Sequence, residues 1–172
     1  SSFVPSTATF YPAGSWNGGT LTLDVISHEG LWYPGGEGSH GIAIQAFREA
    51  GGPLRIPGPL IRVPQNTRIV ASIRNDIPDS ELHLHGFLTH PAEPADPVRI
   101  PYRETRALEF SAGAPGAYQY WASTENRVLN QRVGVDSQLV GAFIVDPAGY
   151  DQEDRVLVLG EFVIPDPQLP NA

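Results

Sequence analysis

Apolar and polar residues alternate in short runs along most of the chain, and Gly/Pro clusters separate the runs. Thr20 to Ile26 (TLTLDVI), Gly41 to Phe47 (GIAIQAF), Leu60 to Val63, Thr67 to Arg74 (TRIVASIR) and Glu81 to Phe87 (ELHLHGF) carry this signature. Ala107 to Ser111, Ala117 to Trp121 (AYQYW), Leu139 to Asp146 (LVGAFIVD) and Arg155 to Val163 (RVLVLGEFV) continue it. Successive side chains of a strand point to opposite faces, so a period of 2 in β-branched and aromatic runs predicts about nine strands. Helical periodicity is sustained nowhere. Ala46 to Ala50 (AFREA) is the best helix candidate, and Gly51-Gly52-Pro53 stops it at once. Many short strands with turn residues between them predict an all-β, antiparallel sandwich or barrel with Greek-key links. The inward residues of Ile69 to Ile73 and Phe143 to Val145 belong to its expected core.

Three stretches read as long irregular loops: Trp32 to His40, Pro91 to Val98 and Thr124 to Ser137. Loops of that length in a compact domain often carry function. Residues 1–150 read as one domain, and residues 151–172 as an extra strand with a Pro-rich tail leading toward a following domain. Val156-Leu157-Val158-Leu159 are four aliphatic residues in a row, so this strand is expected to be buried on both faces. It should pair with a strand of another domain or chain. Without such a partner, it must fold back on its own sandwich or expose an edge.

The length of 172 residues fits one domain with a buried core. Gly and Pro number 18 and 17, above average usage and below the share that marks disorder. Eleven basic residues against 19 acidic ones give a formal charge of -8, which repels nucleic-acid phosphate and anionic membranes. No apolar run is long enough to span a bilayer. Methionine is absent even at position 1, so the chain reads as a processed product or a piece of a longer one. Cysteine is absent too, which excludes a disulfide, a thiolate nucleophile, an Fe–S cluster and a blue-copper thiolate from this chain.

One constellation carries sharp chemistry. In His83-Leu84-His85-Gly86 the two imidazoles are two residues apart on a strand and so share a face, with Leu84 on the other. Paired imidazoles suit Cu, Zn, Fe or Ni. The same pair is equally read as two histidines near a strand end, one hydrogen-bonded and one in water. His90 reads as a loop residue beside Pro91. The aromatic run from Gly116 to Trp121 reads as core packing with polar tips at the rim. Gly36 to Gly41 matches G-x-G-x-x-G, but a strand-like run follows where a dinucleotide site needs a helix, so it reads as a Gly-rich loop. No nucleophile elbow or P-loop occurs.

Taken in order, four segments resemble the first cupredoxin domain of multicopper oxidases, the superfamily that includes laccases. Gly58-Pro59-Leu60-Ile61-Arg62-Val63 followed by Thr67 to Asn75 is similar to the family's "GP-x-IRV…N" strand pair. His83-Leu84-His85-Gly86 resembles its first copper motif, Gly116 to Ser123 its second, and Gly141-Ala142-Phe143-Ile144-Val145 its closing strand. The resemblance runs from about Thr20 to Pro147, and the tail resembles the first strand of the family's next domain.

The resemblance implies a cupredoxin-like Greek-key β-sandwich. It also implies a trinuclear copper centre built from four H-x-H motifs, two on the first domain and two on the last. His83 would then serve a type 2 copper and His85 a type 3 copper, both facing an interdomain or intersubunit surface. In the second motif Trp121 and Ser123 stand where two histidines belong, and neither replaces an imidazole. Trp121 is expected to cover the vacated ligand position. Without Cys the chain cannot hold the type 1 copper, and it cannot be a standalone blue-copper carrier. Two functions follow from the resemblance. The first is the N-terminal part of an exported, laccase-like oxidoreductase, inactive alone, which supplies a His83/His85 half-site to a dioxygen-reducing copper centre completed by further cupredoxin domains or a second chain. The alternative is a copper-free cupredoxin module kept for binding or assembly.

Overall fold

The computed structural model describes residues 2–3, 11–33, 36, 38–87, 97–152 and 154–159. Its strands are β1 (Ser2–Phe3), β2 (Ser15–Asn17), β3 (Thr20–Trp32), β4 (Ile42–Glu49), β5 (Ile61–Pro64), β6 (Arg68–Asp76), β7 (Glu81–His85), β8 (Val98–Pro101), β9 (Thr105–Ser111), β10 (Gly116–Ser123) and β11 (Val140–Asp146). They form two sheets. One runs β1-β3-β6-β9, with β2 and β4 also paired to β3, and the other runs β5-β11-β10-β7-β8. This is the all-β sandwich that the alternation and the resemblance imply.

Alternation builds the core. Leu21, Leu23 and Val25 of β3, Ile69, Ala71 and Ile73 of β6, and Phe143 and Val145 of β11 point inward and are buried in one cluster. Each large side chain buried there stabilises the fold by roughly 1.5–3 kcal/mol, whereas an exposed ion pair such as Arg68–Glu109 contributes under about 1 kcal/mol. The apolar layer therefore dominates the fold's stability.

The structure corrects three expectations. First, the sheets are mixed rather than antiparallel, because β3 pairs with β6 and β5 with β11 in parallel. The chain turns from β3 into β4, visits the other sheet as β5, and returns beside β3 as β6; a strand that returns by such a crossover runs parallel to its neighbour. Second, Ala46 to Glu49 extend β4 instead of forming a helix. Ala46 and Phe47 are buried and pair with His28 and Ser27, and so short a segment cannot repay helix nucleation against that ladder. Third, β2 and β8 were not expected; β8 pairs with β7, with Arg99 opposite His83.

Beyond β11, Arg62 forms a two-pronged bond to Asp146 at 2.8 and 2.9 Å and also binds the Asp154 carboxylate. The Tyr150 hydroxyl donates to Asp154 at 3.0 Å. Residues 154–159 form no strand ladder with the sandwich. Val156 and Val158 line a groove with Pro57, Gly58, Leu60 and Ala142, while Leu157 and Leu159 are 81% and 95% exposed. The segment is therefore not buried on both faces in this chain. Residues 160–163 of the expected strand, and His90, lie outside the described residues. Among the described residues no helix is long and apolar enough to cross a membrane.

Candidate metal centre

The strand β7 runs antiparallel to β10, and the register sets His83 opposite Ser123, Leu84 opposite Ala122 and His85 opposite Trp121. Leu82, Leu84, Tyr120 and Ala122 are in the core. Alternation therefore sends Glu81, His83, His85, Trp121 and Ser123 to the outer face of the five-stranded sheet. The two imidazoles, Trp121 and Ser123 form one facing set of four.

Two glycines hold this frame. Gly86 turns the chain out of β7 at φ +85°, and a Cβ there would stand 2.4 Å from the Gln119 carbonyl oxygen, so only glycine lets the turn close against β10. Gly141 on β11 leaves room for the Tyr120 ring, which a Cβ would meet at 2.1 Å. Tyr120 is fully buried, packs against Phe47 and Phe87 with ring centroids 5.4 and 5.0 Å away, and donates its hydroxyl to the Pro59 carbonyl at 2.6 Å. Burial pushes its phenol well above the ordinary tyrosine value. The aromatic run is thus core on its Tyr120 side and rim on its Trp121 side.

On the rim, the His85 ring stacks on Trp121 with centroids 4.0 Å apart and planes 6° from parallel. The Arg132 guanidinium carbon lies 4.9 Å from the Trp121 ring centroid. One guanidinium nitrogen, Nη1, donates to the carbonyls of Ala122, Asp136 and Leu139 at 3.1, 3.0 and 3.1 Å. Burial, then the charges of His83 and Arg132, hold His85 below the ordinary histidine value, so its ring is neutral at pH 7. Burial also lowers the Arg132 pKa, with the charge of Asp136 opposing the shift. His83 is buried, with Nε2 3.1 Å from Glu81 Oε1, and its Nδ1 has no hydrogen-bond partner among the described residues.

The fourth position is wired into the following loop. Ser123 Oγ donates to Asp136 Oδ2 at 2.8 Å and accepts from the backbone N–H groups of Glu125 and Arg127 at 3.1 and 3.0 Å. Asp136 Oδ1 accepts from the Thr124 backbone N–H at 2.7 Å. The expected irregular loop from Thr124 to Ser137 is in fact ordered by this network and contains two short 3-10 turns, Leu129–Gln131 and Gly134–Gln138. Arg132 and Asp136 are the residues that sequence reasoning missed. They belong to no spacing motif, and a lone Arg and Asp in a loop read as solvated charges until the loop's path is known.

Copper of the kind the resemblance implies takes imidazole nitrogens and fills about four positions. This rim brings two imidazoles. The Trp121 indole N–H can only donate, the Ser123 hydroxyl is committed to Asp136, and a guanidinium lies over the Trp121 ring. Among the described residues no cluster of three or more His, Cys, Asp or Glu could hold a metal ion. The residues present do not fit a copper centre of their own.

No protein-family model and no curated protein sequence matches the chain. Solved structures do. A multicopper oxidase from Campylobacter jejuni, described as a metallo-oxidase, is 18% identical with a TM-score of 0.57, over 82% of this chain and 29% of its own. The blue copper oxidase from Nitrosomonas europaea is 21% identical with a TM-score of 0.54, over 75% and 39%. A copper nitrite reductase from the same organism is 22% identical with a TM-score of 0.53, over 76% and 42%. The chain spans less than half the length of each. At these identities the likeness shows the fold: the chain is a cupredoxin-like domain, and the resemblance to multicopper oxidases holds at that level.

Proposed function

We propose that this chain is a cupredoxin module of a larger, exported, multicopper-oxidase-like oxidoreductase whose reactive copper is held by further cupredoxin domains or by a second chain. The observation that supports this reading is the in-register rim that sets His83 opposite Ser123 and His85 opposite Trp121, with imidazoles at two of the four positions where the resemblance implies a copper frame. With two imidazoles on this rim and no Cys in the chain, it is not expected to take electrons from a substrate or reduce dioxygen alone. Its part is to present a rigid face to the domains that do. The tether of Arg62 to Asp154 supports the same reading, since it sets the direction in which the chain leaves the sandwich.

A second reading is favoured by one observation, the buried Nδ1 of His83, which finds no partner among the described residues. Here His83 and His85 are a half-site that donates to a copper ion shared with another domain. To test both readings, the protein is produced with its native flanking sequence, and copper content, electron paramagnetic resonance and dioxygen uptake on a phenolic substrate are measured. The first reading expects copper, dioxygen uptake, and no loss of copper in the His83→Ala/His85→Ala variant. Loss of copper in that variant establishes the second. A native protein with neither copper nor dioxygen uptake overturns the oxidoreductase assignment.

A further inference from the structure

We infer that the β7–β10 rim excludes metal ions, with the Arg132 guanidinium as its resident cation in the place of copper. The inference rests on the first reading above only for its choice of copper as the ion to test. Three observations support it. Arg132 is anchored by three backbone carbonyls, so its charge cannot swing away from the rim without breaking all three bonds. A guanidinium does not lose its proton under any ordinary condition, so the charge is permanent. Trp121 contacts both groups, the imidazole at 4.0 Å and the guanidinium carbon at 4.9 Å from its ring centroid, so the charge lies within about 9 Å of the His85 ring.

A divalent ion on His85 would therefore lie within reach of the field of a fixed positive charge in a partly buried setting, where screening by water is weak. Stacking on Trp121 leaves the in-plane nitrogens of His85 uncovered, so the indole alone does not prevent coordination. The combination of too few donors and a fixed guanidinium does. On the rim, His83 Nδ1 and Arg132 Nε are buried without partners among the described residues, so its polar set is incompletely paired.

The test uses Cu(II) titration of the full 172-residue chain against a weak competing chelator, followed by electron paramagnetic resonance. The chain and its His83→Ala/His85→Ala variant should take up Cu(II) with affinities within about twofold of each other. Trp121→His/Arg132→Gln should bind Cu(II) about tenfold more tightly than the starting chain, or better, with nitrogen hyperfine structure that disappears when His85→Ala is added. Trp121→His/Arg132→Lys keeps the charge and should show no gain. The inference is overturned if the unmodified chain binds Cu(II) about tenfold more tightly than its His83→Ala/His85→Ala variant, or if the Lys variant gains as much as the Gln variant. Should Arg132→Gln fail to fold, as far-UV circular dichroism would report, the first comparison decides alone. Copper held elsewhere in the native protein bears on the proposed function and leaves this result untouched.

Discussion

Two of the molecule's buried polar clusters are finished differently. At the end of β6, Asn75 and Ser27 are fully buried. The Asn75 amide nitrogen donates to the carbonyls of Ser80 and Ile100 and to Ser80 Oγ, while its oxygen accepts from Ser27 Oγ and the Ile77 backbone N–H. Each polar atom of that side chain has a partner. On the β7–β10 rim, Ser123 and Asp136 are paired as thoroughly, yet His83 Nδ1 and Arg132 Nε are buried without partners. A buried polar group left unpaired costs about 1–3 kcal/mol, and a fold selected for stability alone removes such groups. The Asn75 cluster is therefore a staple between the two sheets. The rim, with two buried atoms unpaired among the described residues, is the less completely satisfied of the two.

Breaking each cluster in turn tests that contrast. Asn75→Ala should have the largest effect, about 4 kcal/mol by urea denaturation, because it strands the Ile77 N–H and the Ile100 carbonyl in the interior. Gly86→Ala should cost about 3 kcal/mol, from a strained positive φ and a Cβ forced against the Gln119 carbonyl. That outcome would show that the rim's backbone is strict even where its polar set is not. A loss under about 1 kcal/mol would mean that β7 and β10 separate easily there and that the register of the four rim residues is soft. Asp136→Asn should cost about 2 kcal/mol and open the 124–138 loop to limited proteolysis, since it removes the charge that compensates buried Arg132 and weakens the bonds to Ser123 and Thr124.

The contrast also explains what was legible before the structure. The shared face of His83 and His85 follows from strand alternation alone, and so does the inward set Ile69, Ala71 and Ile73. That Trp121 faces His85 and Ser123 faces His83 needed a register, which periodicity within one strand does not carry and which only the folded sheet supplies. The parallel β3–β6 ladder was not legible, because strand direction is a property of the connections. AFREA, the best helix candidate, is strand as far as Glu49 because local helix preference is worth tenths of a kcal/mol per residue, against the burial of Phe47 worth several times more. Arg132 and Asp136 were invisible for a different reason. Their roles depend on where a loop returns to the sheet, and no sequence spacing encodes that return.

The smallest expected effect is the most discriminating. His83→Leu removes a buried imidazole whose Nδ1 is unpaired and whose Nε2 meets only the half-exposed carboxylate of Glu81. Had the rim been built like the Asn75 cluster, losing its buried member would cost several kcal/mol. Here the lost contact to Glu81 is weakened by water, the unpaired nitrogen disappears, and leucine fills much of the same volume, so the terms nearly cancel. The change in unfolding free energy should stay within about 1 kcal/mol of zero by urea denaturation, against about 4 kcal/mol for Asn75→Ala. A loss near that of Asn75→Ala would mean that the buried imidazole nitrogen has a partner after all. The rim would then be a second staple, and the contrast between the two clusters would fall with it.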